Sequence, residues 1–200
     1  MKISPGRLAL HLPHPQGKLV GVESIVLQTP RLLLRSATPE LAAADLRSRS
    51  DFSRLLAARV PEDWPPPLND DGSKTFTLNY LDENADAVGW STWYFLRPGE
   101  DGAVRPEAVG IGGFRGKPAR GVVEVGYSIM PAWQRMGFAS EAVAALTQWA
   151  FSQAEVRMVI AETLPSLTAS IRVLEKNGFQ LLGQGSEESV IRYGRSKPSG

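Results

Sequence analysis

The sequence predicts a single α/β domain (α+β in arrangement), in which a mixed, mostly antiparallel sheet is flanked by helices. Three observations indicate this class. The chain has 200 residues, which fits one domain better than two. Apolar residues make up 42% and charged residues 22% of it, as in proteins with a packed core. Strand-like and helix-like segments alternate, and their number predicts six to seven strands and about four helices.

The first third is predicted to hold short elements between proline-rich segments. Residues 1–24 are expected to form an arm, because glycine and proline interrupt them repeatedly. The alternation around Leu32 and Leu34 predicts a half-buried strand. Thr38 followed by Pro39 is typical of a helix start, with threonine as the N-cap and proline in the first turn. One broken helix or two short ones should follow.

The segment 59–68 contains three consecutive prolines and is predicted to be irregular. A helix is expected to start near Ser73. The remaining elements are predicted as strands at 88–96, 109–115, 122–129 and 156–163, a hairpin-like turn at 98–106, helices at 139–151 and 166–177, and a final hairpin of 179–182 with 190–193. Gly178 suits the end of the last helix. We therefore expect an arm at 1–24, a domain at 25–194 and a tail at 195–200.

The absence of cysteine excludes several kinds of chemistry. No disulfide, thiolate nucleophile or cysteine-ligated metal is possible. The two histidines, His11 and His14, both lie in the predicted arm, where a solvated segment is more common than a metal site. We expect no metal centre, and acid–base chemistry must depend on carboxylates or hydroxyl groups.

The net charge of +1 indicates neither a nucleic-acid partner nor attraction to an anionic membrane. Prolines interrupt the N-terminal stretch, so no secretory signal is predicted, and no segment has the length of a membrane-spanning helix. A cytoplasmic location is the expectation.

The segment Gln134–Ala139 is the most informative part of the sequence. It joins a strand that ends near Ile129 to a helix that begins near Ala139. The start of a helix presents unpaired N–H groups and the positive end of the helix dipole, and Gly137 permits a close approach of an anion. The segment therefore favours a phosphate or pyrophosphate site. An ordinary strand–helix turn is the alternative.

Four segments together resemble the GNAT acyltransferase superfamily. Gln134-Arg135-Met136-Gly137-Phe138-Ala139 resembles its acyl-CoA pyrophosphate loop, and residues 124–129 resemble its fourth strand. Residues 169–179 are similar to the second helix on the cofactor side, with its Gly-Phe ending. Residues 29–35 resemble the first strand in the branch that contains ribosomal-protein N-terminal alanine acetyltransferases.

The resemblance implies a splayed sheet that holds acetyl-CoA between the strands at 122–129 and 156–163. The pantetheine arm is expected to pair with backbone at Ser128, Ile129 and Met130. The pyrophosphate is expected to bind the N–H groups of Arg135, Met136, Gly137, Phe138, Ala139 and Ser140. A homodimer is a further expectation from the family.

Several positions depart from the family pattern. Arg135 and Met136 stand where many members have glycine and a basic residue, which a loop that binds through its backbone tolerates. Leu167 stands where many members have asparagine, and Leu174 stands where many have a tyrosine that protonates the leaving thiolate. The sequence therefore leaves two functions open. The first is an acetyl-CoA-dependent N-acetyltransferase that acts on a protein N-terminus or a small-molecule amine. The second is a non-catalytic acyl-CoA-binding or regulatory module with the same fold.

For catalysis, Glu124 is the first candidate for the general base. An attacking amine must lose a proton, and a carboxylate among apolar neighbours has a raised pKa suited to accepting it. Ion pairing with an arginine is the alternative role, and Glu162 is the second candidate. Ser170 is expected to hydrogen-bond the departing sulfur, or to be an ordinary helix residue. Because no cysteine can carry an acyl group, direct transfer is favoured.

Aromatic residues are candidates for acceptor binding. Trp90 and Trp93 are predicted to lie on opposite faces of one strand, so that at most one faces the acceptor. Trp64 is the better candidate, because it lies in the proline-rich loop and loops often carry specificity.

Overall fold

The computed structural model describes residues 22–84, 86–99 and 105–198. Most of the predicted arm, with His11 and His14, lies outside these residues. Within them the chain forms eight strands, five α-helices and one short 3₁₀ helix. In chain order these are β1 (Val26–Gln28), β2 (Leu33–Ser36), α1 (Pro39–Arg47), α2 (Arg49–Leu56), α3 (Asp71–Glu83), β3 (Thr92–Arg97), β4 (Glu107–Phe114), β5 (Val122–Ile129), the 3₁₀ helix (Pro131–Trp133), α4 (Phe138–Ser152), β6 (Met158–Thr163), α5 (Thr168–Lys176), β7 (Gln180–Gln184) and β8 (Ile191–Ser196).

The strands form one sheet in the order β1-β2-β3-β4-β5-β6-β8-β7. The pair β5–β6 is parallel and the other pairs are antiparallel. This arrangement confirms the predicted fold class. The sheet exceeds the predicted six to seven strands because β1 is a three-residue strand with no alternation to reveal it. β8 continues two residues past the predicted domain end, and Ser196 pairs with Met158.

Side-chain caps set the starts of the first three helices. Thr38 Oγ1 accepts a hydrogen bond from the Leu41 N–H, as expected from the sequence. Ser48 ends α1 and caps α2 by accepting from the Asp51 N–H, so the predicted broken helix is two helices. Asp70 caps α3, which therefore starts two residues before the predicted Ser73.

The helices divide between the two faces of the sheet. α4 and α5 cover one face, where Val123, Val125 and Val159 pack with apolar residues of α4. α1, α2 and α3 cover the other face over β3 and β4, where Tyr94 and Ile111 are buried. Alternate residues of β3 and β4 enter the two cores, and each buried side chain contributes about 1.5–3 kcal/mol.

The tryptophan-rich strand differs from its prediction. β3 starts at Thr92, after a turn that contains Trp90, so Trp90 and Trp93 are not related by strand alternation. Both pack against Trp149 of α4, with ring centroids 4.7 Å and 5.3 Å away. The prediction of opposite faces was wrong, because it assumed a strand that extends back to residue 88.

A buried polar cluster connects α1, α3 and the proline-rich loop. Lys74 Nζ lies 3.1 Å from Asp45 Oδ1, with side-chain exposures of 10% and 4%. The indole N–H of Trp64 donates to the same carboxylate oxygen at 2.9 Å. Lys74 also donates to the Asp45 carbonyl oxygen at 3.1 Å. The cluster adjoins a small cavity of about 30 Å³. It fixes the loop that covers this face of the sheet.

In the described part of the chain, every helix is too short or too polar to cross a bilayer.

Removal of the buried carboxylate is expected to destabilise the protein strongly. Asp45→Ala leaves the Lys74 ammonium buried without its partner, which costs about 3–5 kcal/mol. Urea unfolding measures this loss. Asp51→Ala is the matched control, because the Asp51–Arg54 pair is exposed on both sides and should contribute little. Equal stability of the two variants would contradict the assigned role of the cluster.

Candidate active site

The site is an opening between two neighbouring parallel strands. β5 and β6 pair at three positions, from Val122 with Met158 to Glu124 with Ile160. Beyond Glu124, β5 pairs with β4 on its other side, and β6 pairs with β8. The two strands therefore separate after Glu124, and the edges that face each other lack strand partners.

Backbone alternation shows which groups of β5 face the opening. The Glu124 carbonyl accepts from the Arg115 N–H, and the Met130 N–H donates to the Val109 carbonyl. Both bonds point toward β4. Because successive residues in an antiparallel strand alternate between neighbours, the backbone groups of Val125, Tyr127 and Ile129 point toward β6. An extended chain with amide groups can pair there, as an added strand would.

This geometry revises the expected backbone partners. Ile129 faces the opening as expected, and its carbonyl accepts from Gln134 Nε2 at 3.0 Å. Met130 does not face it, because its N–H and its carbonyl are bonded to Val109 and Trp133. Ser128 pairs with Ile111 on the β4 side. The prediction that the Met130 and Ser128 backbone faces the opening was wrong, and strand alternation directs the backbone groups of Val125 and Tyr127 there instead.

The loop before α4 has the geometry of an anion site. Arg135 and Gly137 both have positive φ, 62° and 85°, with Met136 between them. Within the described residues, no acceptor is bonded to the N–H groups of residues 135–140, and the first helical bond comes from the Glu141 N–H. N–H groups that line such a turn converge on one concave surface at the positive end of a helix. The loop therefore has the geometry that a site for a phosphate-sized anion needs.

Arg31 holds this loop in place, a role that the sequence did not reveal. Its Nη1 donates to the Met136 carbonyl at 2.9 Å, and its Nη2 and Nε bind Glu141 at 2.7 Å and 2.8 Å. The guanidinium also lies over the Phe138 ring, 4.8 Å from its centroid. Its partners lie more than 100 residues away in the chain, so residue spacing could not identify this role.

Glu124 lies at the point where β5 and β6 separate. Its neighbours Val123 and Val125 enter the α4 core, so its side chain lies on the opposite face of the sheet, the face that α1–α3 cover over β3 and β4. The carboxylate is about one quarter exposed and contacts Arg115 Nε at 3.1 Å. Burial raises the pKa of Glu124, while the Arg115 guanidinium opposes the rise. The result is a half-buried carboxyl with enhanced basicity, which is suited to proton transfer.

Glu162 is held in a different way. It accepts from Arg192 Nε and Nη2 at 2.9 Å and 2.6 Å, and from the Ser186 N–H at 2.8 Å. Burial alone would raise the pKa of Glu162, but the bonds from Ser186 and Arg192 outweigh it and lower the pKa. Its oxygen atoms are occupied, so Glu162 has the ion-paired structural role and is a poor base.

Ser170 lies across the sheet from Glu124, in the first turn of α5. Its Oγ is 3.0 Å from the hydroxyl oxygen of Tyr127, which is directed to the same face. Tyr127 was not among the expected site side chains. The contact joins segments 43 residues apart, so no local pattern in the sequence connects the two residues.

The expected aromatic acceptor residues pack in or against the two cores. Trp90 and Trp93 are 7% and 0% exposed within the α4 core, so neither can contact an acceptor. Trp64 packs against Phe52 and Tyr94 in the other core, and its N–H is bonded to Asp45. The assignments of Trp90 and Trp93 were wrong, because both rings are packed in the core. Trp64 is half-buried and stays a prediction.

The proline-rich loop still reaches the opening, by another residue. Ser128 Oγ donates to the Pro67 carbonyl at 2.7 Å, on the same face as Glu124. The next residue, Leu68, has a positive φ of 67° and is 88% exposed. The loop therefore borders the Glu124 side of the opening with an exposed leucine.

Comparison with known proteins gives a consistent result. The sequence model of the acetyltransferase (GNAT) domain matches residues 31–180. The chain is 27% identical over 168 residues to YjdG, an uncharacterized N-acetyltransferase of Bacillus subtilis (strain 168), which covers 82% of this chain and 94% of that protein.

Solved structures share the fold. A ribosomal-protein-S5-alanine acetyltransferase from Vibrio fischeri aligns with a TM-score of 0.60 and 17% identity, covering 88% of this chain and 98% of its own. RimL, a ribosomal L7/L12 α-N-protein acetyltransferase in complex with coenzyme A, aligns with a TM-score of 0.58 and 18% identity, covering 86% and 98%.

The loop geometry makes a prediction about Gly137. An added Cβ would meet Arg31 Nη2 at 3.2 Å, and the left-handed backbone would become strained, so Gly137→Ala should lose about 1–2 kcal/mol in urea unfolding. Gly126→Ala is the control, because a Cβ there meets nothing within 4 Å and its φ is not positive. A Gly137 variant as stable as the control would show that the loop does not require this conformation.

Proposed function

The chain belongs to the GNAT acetyltransferase family, and we propose that it transfers the acetyl group of acetyl-CoA directly to the nitrogen of an amine, with Glu124 as the general base. The acceptor is a protein N-terminus or a small-molecule amine. The observation that carries the proposal is the position of Glu124, a half-buried carboxyl with a raised pKa at the point where β5 and β6 separate.

Two features of the chain fit acetyl-CoA. The free N–H groups of residues 135–140 match the oxygens of a pyrophosphate, and Arg135 adds a positive charge beside them. The backbone groups of Val125 and Tyr127 that face the opening match the amides of a pantetheine chain. Together they would hold the thioester in the opening between β5 and β6.

In the proposed reaction, the amine attacks from one face of the sheet. On the α1–α3 side, the amine attacks the thioester carbon as Glu124 takes its proton, directly or through a water molecule. The new C–N bond forms, the C–S bond breaks, and the electron pair leaves with sulfur. Bound acetyl-CoA and amine must be present together, because transfer is direct.

The acceptor side is framed by groups that suit an amine. Glu124 supplies a negative charge, and the loop residue Leu68 supplies exposed apolar surface next to Ser128. An acceptor amine attached to an apolar or extended chain would use both. Protein N-termini and hydrophobic small amines share this chemistry.

The direct test is release of free thiol from acetyl-CoA, measured with a panel of peptides with free N-termini and small amines. Wild type should release thiol only when an amine is present. CoA binding without any amine-dependent release would contradict the proposed reaction.

Glu124→Gln should lower kcat by about 100-fold or more, the usual contribution of one positioned base. For wild type, kcat/KM should rise with pH through the raised pKa of Glu124, because the base must be ionised. The variant should lose that acidic limb of the pH profile. Calorimetry should show that the variant still binds CoA. Glu162→Gln is a control for carboxylate removal. It should keep the limb but move it slightly to lower pH, because the Glu162 charge contributes to the raised pKa of Glu124. An unchanged pH profile in Glu124→Gln would exclude Glu124 as the base.

Arg115 should affect the pH at which the acidic limb of the kcat/KM profile lies. Its guanidinium opposes the rise in the pKa of Glu124, so Arg115→Met should raise that pKa further and move the acidic limb to higher pH. Arg115→Lys retains the charge and should move it less. The shift should be modest, because Arg115 is 76% exposed and solvent screens the pair. A shift to lower pH in Arg115→Met would contradict the assignment.

A further inference from the structure

The contact between Tyr127 and Ser170 is not used by the reaction as described so far. The Tyr127 hydroxyl oxygen lies 3.0 Å from Ser170 Oγ and 3.1 Å from the Ser170 carbonyl oxygen. Given the proposed function, and with Ser170 as the expected hydrogen-bond donor to the departing CoA sulfur, we propose that Tyr127 is the positioning residue for that donor. The Tyr127 hydroxyl holds Ser170 Oγ and directs the Ser170 proton toward the sulfur.

The pair lies where the sulfur must leave. Tyr127 is three residues beyond Glu124 on β5, in the part of the strand whose backbone faces the opening. Ser170 is in the first turn of α5, which follows the separated end of β6 after a four-residue connection. Both side chains are on the α4–α5 face, opposite Glu124. The amine proton and the leaving sulfur are therefore served from opposite faces.

The two hydroxyls can satisfy one another in two ways. A tyrosine hydroxyl has one proton. When Tyr127 donates to the Ser170 carbonyl, Ser170 donates to Tyr127 and has no proton for another acceptor. When Tyr127 donates to Ser170 Oγ, the Ser170 proton becomes free to point into the opening. Rotation about the two C–O bonds reorients both hydroxyl hydrogens and switches between these arrangements without movement of any heavier atom.

Hydrogen bonding, rather than full proton transfer, is the step that the chemistry allows. A thiol has an ordinary pKa of about 8.5 and a tyrosine about 10. Burial raises the pKa of Tyr127 further, although its bond to Ser170 opposes this. The hydroxyl protons therefore remain on oxygen. The C–S electron pair stays on sulfur as a thiolate, held by the Ser170 O–H, and solvent protonates it after release.

The residue one turn after Ser170 on α5 offers the sulfur no hydrogen-bond donor. Leu174, one turn further along α5, is fully buried in the α4 core and has no proton to donate. Within the described residues, Tyr127 and Ser170 are bonded to each other and not to a third side chain. The free Ser170 proton in the second arrangement thus has no competing protein acceptor.

The decisive experiment titrates the thiol of bound CoA, which needs no amine acceptor. The thiolate absorbs in the ultraviolet, so its formation can be followed against pH for free CoA and for the complex. In wild type the bound thiol should ionise at lower pH than in free CoA. Ser170→Ala should return it toward the free value, and Tyr127→Phe should do so in part.

Kinetics should agree with the titration. With an amine that wild type acetylates, Ser170→Ala should lower kcat about 100-fold, the smaller end of losses on removing one donor to a developing anion. Tyr127→Phe should lower it about tenfold, the equivalent of one net hydrogen bond, with little change in the KM for acetyl-CoA. The double variant should be no worse than Ser170→Ala, because Tyr127 acts through Ser170.

Tyr193→Phe is the matched control. It also removes a hydroxyl that interacts with α5, at Glu175, but outside the opening. It should leave the thiol titration and kcat as in wild type. Calorimetry at a pH where the thiol is protonated shows whether each variant still binds CoA.

The outcomes separate the two proposals. The same ionisation of bound thiol in wild type, Tyr127→Phe and Ser170→Ala, with CoA binding intact, would overturn the positioning role of Tyr127. A kcat loss in Tyr127→Phe that adds fully to that of Ser170→Ala would also overturn it. Failure of the acetyl-transfer reaction would appear instead as wild type that binds CoA but releases no thiol with any amine, and the titration would remain readable.

Discussion

The site depends on the short parallel pairing of β5 with β6. The two strands are held together at one end, where the Gly121 carbonyl accepts from the N–H groups of Arg157 and Met158, and they pair no further than Glu124. Everything that the chemistry needs follows from that separation. It leaves backbone groups unpaired, places a carboxyl at the branch point, and lets α4 and α5 begin at the wide end. Continuous pairing would satisfy the backbone and close the site.

The sequence was a good guide to the second half of the chain. Apolar periodicity and the Gly137 and Gly178 positions specify α4, α5 and their neighbouring strands locally, and the anion loop follows from a helix start. The sequence ranks Glu124 before Glu162 as a candidate base, and the structure adds how the surroundings of the two carboxylates differ. Both are carboxylates on adjacent strands and the same face, and they differ in partners: Arg192 and Ser186 occupy one, whereas one exposed arginine contacts the other.

The sequence could not predict contacts between distant segments, or the residue at which the side-chain alternation of a strand begins. Tyr127 with Ser170, and Arg31 with the α4 loop, join residues that no local pattern connects. The tryptophans were misplaced because a turn before Thr92 ended the alternation that the residue types suggested. The backbone partners in the opening were misassigned for a related reason: residue type does not report which neighbour a strand residue bonds.

The Arg31–Glu141 contact makes the anion loop a product of complete folding. Thr29 also donates to the Glu141 carboxylate, so the segment after β1 fastens the first turn of a helix encoded more than 100 residues later. A chain without its first strands would retain the loop sequence but not its shape. The affinity for acetyl-CoA should therefore depend on the complete native topology of the chain. Mass action would then favour intact molecules, since a ligand that binds only the native state stabilises it by an amount that grows with the logarithm of the ligand concentration above Kd.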